Sequence, residues 1–164
     1  MPLPARAEQP IVAPHLQLFG DIGFLLARAS GITIRSTNAR LRPLRLRVRH
    51  FSVLSVAFQA GGVSQRELSV LLGLDPSQIV ALVDDLERQR LVERRAHGRD
   101  RRARIISATP EGESRYQQAS EIVNRAREEF LTALDVSEET VLRDLLMRLV
   151  SRDMPEVDEP EGIA

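Results

Sequence analysis

A chain of 164 residues with 43% hydrophobic content can build one modest core, and its 23 basic and 23 acidic side chains cancel, so net charge names no partner. It has no cysteine, which excludes disulfides, thiolate metal sites and oxidant sensing by a thiol. His15, His50 and His97 lack metal-ligand spacing, so neither a metal nor a cofactor is expected.

Residues 1–14 hold four prolines and no apolar stretch long enough for a signal peptide, and nothing further on approaches a membrane span. A flexible tail on a cytoplasmic protein is the expectation. From Leu16 to Arg40 the apolar positions Leu18, Ile22, Leu25, Leu26 and Ala29 predict a long helix, interrupted at Gly31 and closed before Pro43. A second helix is predicted from about Leu44 to Ala60, ending at Gly61-Gly62.

Ser64-Gln65-Arg66-Glu67 is a capping box, in which the serine accepts from the Glu67 amide and the glutamate reaches back to the serine amide. The helix it starts carries Leu68, Leu71 and Leu72 and stops at Gly73. A second start follows at once, with Asp75 as N-cap, Pro76 where a missing amide costs nothing, and Gln78 closing the box. Its apolar stripe is Ile79, Leu82, Val83 and Leu86, leaving Ser77, Gln78, Ala81, Asp84 and Asp85 mostly on the other face. Two helices joined by so short a turn form a helix-turn-helix. Leu91 to Ala96 and Ala103 to Ser107 then read as strands flanking the basic loop His97 to Arg102, a hairpin with Gly98 at its tip. Thr109-Pro110-Glu111 starts a long helix with Ala119, Ile122, Val123, Ala126, Phe130 and Leu134 in phase. Ser137-Glu138-Glu139 starts the last helix, whose apolar residues Val141, Leu142, Leu145, Leu146, Leu149 and Val150 spread over a face wide enough to need a partner.

Charge is segregated along the chain. From Arg88 to Arg104 eight arginines face two acids, about +6 in a neutral protein, and between Asp21 and Glu67 there are eight arginines and no acid. The tail from Asp153 to Glu161 holds five acids and no base. Every basic side chain is arginine, which suits bidentate contacts to phosphate or guanine; the codon bias of a GC-rich genome accounts for it equally well. The order of elements is that of a winged helix-turn-helix, so double-stranded DNA is the first partner to consider.

The chain resembles the MarR-type bacterial transcription regulators over roughly Leu16 to Met154. The most specific match is the wing pattern Asp-x-Arg, five residues, Leu-Thr-x-x-Gly, present as Asp100-Arg101-Arg102, then Ala103 to Ser107, then Ala108-Thr109-Pro110-Glu111-Gly112, with Ala108 replacing the leucine. Leu82 to Arg94 resembles the exit from the family's recognition helix, except that Arg90 stands where glycine is usual. The resemblance implies a mainly α fold with a small β-hairpin wing and with dimerisation helices at both ends. Residues 1–14 and 153–164 would be tails, the latter acidic, around one domain at 15–152, with 45–112 as the DNA-binding lobe and 15–42 and 113–152 as dimerisation helices. It further implies a homodimeric repressor that binds a pseudo-palindromic operator and is released by a small phenolic or anionic effector.

Candidate DNA contacts are Gln65, Ser77 and Gln78 at the helix starts, although Gln78 is also a capping residue, and Arg99, Arg101 and Arg102 in the wing, where a narrow minor groove concentrates negative potential. Asp100 repels phosphate and is assigned a structural role, holding an arginine such as Arg102. Arg94 contacts the DNA backbone or pairs with Glu93 or Asp84. Arg42, Arg45, Arg47 and Arg49 read as surface or backbone contacts in preference to an anion pocket; for a ligand, Arg49 and His50 are the candidates. No phosphate loop, nucleophile motif or paired carboxylates point to an enzyme, since Asp84-Asp85 and Glu128-Glu129 are helical neighbours that diverge. The rival reading is a winged-helix module that binds protein rather than specific DNA, for which the wing arginines would be dispensable.

Overall fold

The computed structural model describes residues 16–97 and 100–152, and the side chains of all of these except 97 and 100–103. The tails expected at 1–14 and 153–164 therefore lie outside the described residues. A short 3-10 turn, Gln17–Gly20, precedes helix α1, Ile22–Leu41, which starts later than the apolar pattern suggests because the Asp21 carboxylate accepts the Phe24 amide at 2.6 Å and caps it there. Gly31 does not interrupt α1: one glycine costs a helix only about 1 kcal/mol, which twenty residues absorb.

Helix α2 runs Val48–Gln59 rather than from Leu44. Pro43 sits in a 3-10 turn, Arg42–Leu44, and Arg45 follows with φ +56°, so the chain cannot enter a helix until Arg47. Asn38 of α1 accepts the Val48 amide at 2.8 Å, a cap supplied from ten residues away. Helices α3, Gln65–Leu72, and α4, Pro76–Arg88, begin where the sequence places them, and the Ser64–Glu67 box is formed in both directions at 3.2 and 2.7 Å. Gly73 ends α3 at φ +59°, with the Leu74 amide donating back to Ser69 at 3.1 Å.

Strands β1, Val92–His97, and β2, Asp100–Ala108, pair antiparallel from Val92 opposite Ala108 to His97 opposite Asp100, with an irregularity at Ala96/His97. The pairing thus reaches further into the basic segment than the expected loop of residues 97–102. Val63 bridges to Ile106 through two backbone hydrogen bonds of 2.8 and 3.0 Å, adding a third line to the sheet just before α3. Helix α5, Pro110–Phe130, is capped by Thr109, and α6, Val136–Val150, by Asp135, whose carboxylate takes the Ser137 and Glu138 amides while Glu138 reaches back. Position 137 is therefore already inside α6.

The core gathers one face of every element between α1 and α5: Leu41, Leu46, Val53, Leu54, Leu68, Ile79, Val83, Leu86, Leu91, Val92 and Ile106 are all at most 2% exposed. Each such side chain contributes about 1.5–3 kcal/mol by leaving water. Phe51 and Phe58 of α2 pack on Tyr116 of α5 with centroids 5.7 and 4.8 Å apart, and Arg40 of α1 pairs with Glu129 of α5. The two chain ends behave differently. Helix α6 has no buried residue, and α1 buries only Thr37 and Leu41 at its far end.

Candidate nucleic-acid interface

The start of α4 is built to project. Ile79, Val83 and Leu86 anchor its inner face, and the residues one step round the helix, Ser77, Gln78 and Ala81, face solvent. Asp75 Oδ1 accepts both the Ser77 amide, at 2.8 Å, and the Ser77 hydroxyl, at 2.6 Å. Those bonds favour the ionised carboxyl and hold Asp75 below the usual carboxylate range. Gln78 does not close the expected box, because Ser77 takes the Asp75 carboxylate; its backbone amide donates to Asp75 O at 2.9 Å, and among the described residues its side-chain amide has no partner. Both edges of that amide are thus available, the geometry needed to read adenine in a major groove. Gln65 is the first residue of α3, half-buried beside the Ser64 cap.

The wing is tied to this helix from behind. Arg94 of β1 is four-fifths buried and forks onto two carboxylates of α4, Asp84 and Glu87. Asp84 and Glu87 lie three residues apart, hence on one face, and a single guanidinium spans both. Glu93 is occupied by Arg95 instead. Arg94 is therefore placed as a clamp between recognition helix and wing. Arg99 lies outside the described residues, and of Asp100, Arg101 and Arg102 only the backbone, in the first residues of β2, is described.

The hinge from wing to α5 explains the Thr-x-x-Gly spacing. Thr109 Oγ1 donates to Arg90 O at 2.6 Å and accepts the Gly112 amide at 3.0 Å, while its own amide donates to Leu91 O at 3.1 Å. A Cβ on residue 112 would lie 1.9 Å from Leu91 O, so only glycine lets α5 start against that strand. Arg90 takes φ +59°, with the Leu91 amide donating to Leu86 O at 2.9 Å; it occupies the left-handed position after α4 that glycine fills after α3.

The two ligand candidates part company. Arg49 is exposed, whereas His50 is 9% exposed in the first turn of α2, its Nδ1 accepting the Arg47 amide at 3.2 Å. Burial, with the Arg47 charge adding to it, pushes His50 below its ordinary 6.5. Among the described residues no group of three His, Asp or Glu side chains could hold a metal, and no helix is long and apolar enough to cross a membrane.

These elements define a winged helix-turn-helix protein flanked by helices. A family model described as "MarR family" matches residues 46–103. The chain is 38% identical to a transcriptional regulator (MarR family) from Rhodococcus sp. RHA1, covering 84% of this chain and 98% of that one with a TM-score of 0.76. It is 39% identical to CouR from Rhodococcus jostii RHA1, bound to p-coumaroyl-CoA, covering 87% and 98% with a TM-score of 0.75. A mutant MarR from E. coli complexed with operator DNA is 25% identical, covering 78% and 92% with a TM-score of 0.72. The chain belongs to the MarR family of transcriptional regulators.

Proposed function

We propose that this regulator is a cytoplasmic homodimeric repressor that reads a pseudo-palindromic operator and is released by a small phenolic or anionic effector. The observation that carries the DNA-reading part is the exposed start of α4, where Gln78 is uncommitted and Ser77 is fixed by Asp75. Gln78 and Ser77 meet base edges in the major groove, Gln65 meets the backbone, and the wing arginines Arg99, Arg101 and Arg102 meet phosphate or minor groove, with Asp100 holding one of them. Residues 45–112 make up the reading lobe; 15–42 and 113–152 pair two copies, setting half-sites about one helical turn apart. The similar CouR, solved with p-coumaroyl-CoA, supports an effector that is both phenolic and anionic.

Fluorescence anisotropy on the DNA upstream of the protein's own gene, against scrambled DNA and across a salt series, tests the reading. Selective binding with a steep salt slope is expected, with Arg99→Ala and Arg101→Ala each lowering that slope by about one unit. Equal, weak binding to both DNAs, or wing variants without effect, would favour the protein-binding module.

A further inference from the structure

The buried stripe of α4, Ile79, Val83 and Leu86, fixes which side chains the helix turns outward: Ser77, Val80, Ala81 and Asp84, with Gln78 at the margin. At 3.6 residues per turn Ser77 and Ala81 lie at the centre of that face, and Gln78 and Val80 flank it on opposite sides. Val80 is 42% exposed, whereas Val83, one turn on, is 0% exposed. A β-branched side chain also loses rotamer freedom in a helix, so neither the core nor helix propensity accounts for valine at position 80.

The polar groups of α4 leave guanine without a reader. No Lys, Arg or His precedes Arg88 in the helix, so the side chains that take guanine O6 and N7 are missing from its start. Arg88 stands at the far end, about 16 Å along the axis from Ser77, and pairs with Asp85. The Ser77 hydroxyl commits its hydrogen to Asp75 Oδ1 at 2.6 Å and keeps only acceptor capacity, while guanine presents only acceptors in the major groove. Cytosine loses its carboxylate acceptors as well, because Asp84 and Glu87 share Arg94. The Gln78 side-chain amide remains, with a donor and an acceptor that match adenine, and beside it the methyl groups of Val80 and Ala81.

We propose that Val80, with Ala81 next to it, reads thymine by packing on its 5-methyl group, so that the base pairs beneath α4 are A·T. That methyl is the apolar feature of the major-groove edge, and a valine and an alanine laid against it leave water together with it. Cytosine carries only hydrogen at the same ring position, so the contact discriminates without a hydrogen bond. Val80 thereby joins Ser77 and Gln78 as a residue that determines specificity. The inference rests on the DNA-reading role of α4 proposed above.

For the test, the full chain selects duplexes from a randomised pool, and in the tightest-binding duplex each thymine is replaced in turn by deoxyuridine, which removes only the methyl group. Anisotropy is expected to show at least one thymine in each half-site whose replacement weakens the parent about fourfold. In Val80→Ala the same replacement should cost about twofold or less, with the salt slope unchanged because no phosphate contact is altered. The variant should melt as the parent does, since the side chain lies outside the core and alanine is the better helix former. Deoxyuridine tolerated at every position overturns the proposal, and so do selected half-sites with G·C pairs at their centre. An equal loss in parent and variant also overturns it, assigning the preference for thymine to duplex shape. Selective binding without methyl sensitivity removes this inference alone and leaves α4 as the reading helix; failure to select any sequence removes both.

Discussion

Arg90 and His50 each hold a state that their side chains disfavour when isolated. At φ +59° Arg90 occupies the left-handed region, which costs a side-chain-bearing residue about 1–2 kcal/mol. The turn keeps it because the Leu91 amide must donate to Leu86 O for β1 to begin. Arg90→Gly is expected to stabilise the fold by about 1 kcal/mol, a rise of roughly 2–4 °C in Tm by calorimetry; an unchanged or lower Tm would show that the guanidinium makes up the difference. His50 is held neutral below its ordinary 6.5. As pH falls through that value the unfolded chain takes up a proton that the native chain refuses, so stability declines until the native group titrates and is then constant. The depressed carboxylates, Asp75, Glu129 and Asp135, contribute above their ordinary values of 3.8 to 4.5, so their loss belongs to a lower pH window. Urea midpoints at pH 7.5 and 5 should therefore fall in the parent and stay nearly level in His50→Gln; parallel falls would mean that another group is responsible.

Helix ends were the most legible part of this chain, because caps are local chemistry. Ser64, Gly73, Asp75 and Thr109 act where the residue types predict, each using partners within a few positions. Where the partner is distant, prediction failed: α2 starts at Val48 because Asn38 reaches it across a turn. Gln78 departs from its expected role for the opposite reason, since Ser77, nearer to Asp75, takes the cap. The Arg94 fork was half legible. Asp84 is a partner the sequence predicts and Glu87 is not, because only the packing of β1 under α4 brings the guanidinium between them. Arg94→Ala combined with Glu87→Gln should show a coupling of about 0.5–1 kcal/mol in a denaturation cycle, with the DNA salt slope unaltered. A slope lower by one in Arg94→Ala would instead place this arginine on phosphate.

One copy of the chain leaves a great deal of apolar surface in water. Along α1, Ile22, Leu25, Leu26, Ile32 and Ile34 are 39–70% exposed, and along α6, Val141, Leu142, Leu145, Leu149 and Val150 are 37–58% exposed. These helices are amphipathic with nothing among the described residues to cover them, and so much exposed apolar surface is rare on a monomer. Leu142→Glu/Leu145→Glu is expected to shift sedimentation from dimer to monomer and to weaken DNA binding by at least about tenfold, since a half-site alone loses its tethered partner. A variant that still sediments as a dimer would move the interface elsewhere.

Amphipathic period, capping chemistry and the Asp-x-Arg to Thr-x-x-Gly spacing sufficed to establish the helix-turn-helix, the wing and the family, because each depends on residues close together in the chain. The clamp of wing to helix, the cap on α2 and the burial of His50 beside Asp85 required the folded molecule. Each joins groups from different elements, and their distance and burial follow from how the core packs, which no local pattern encodes.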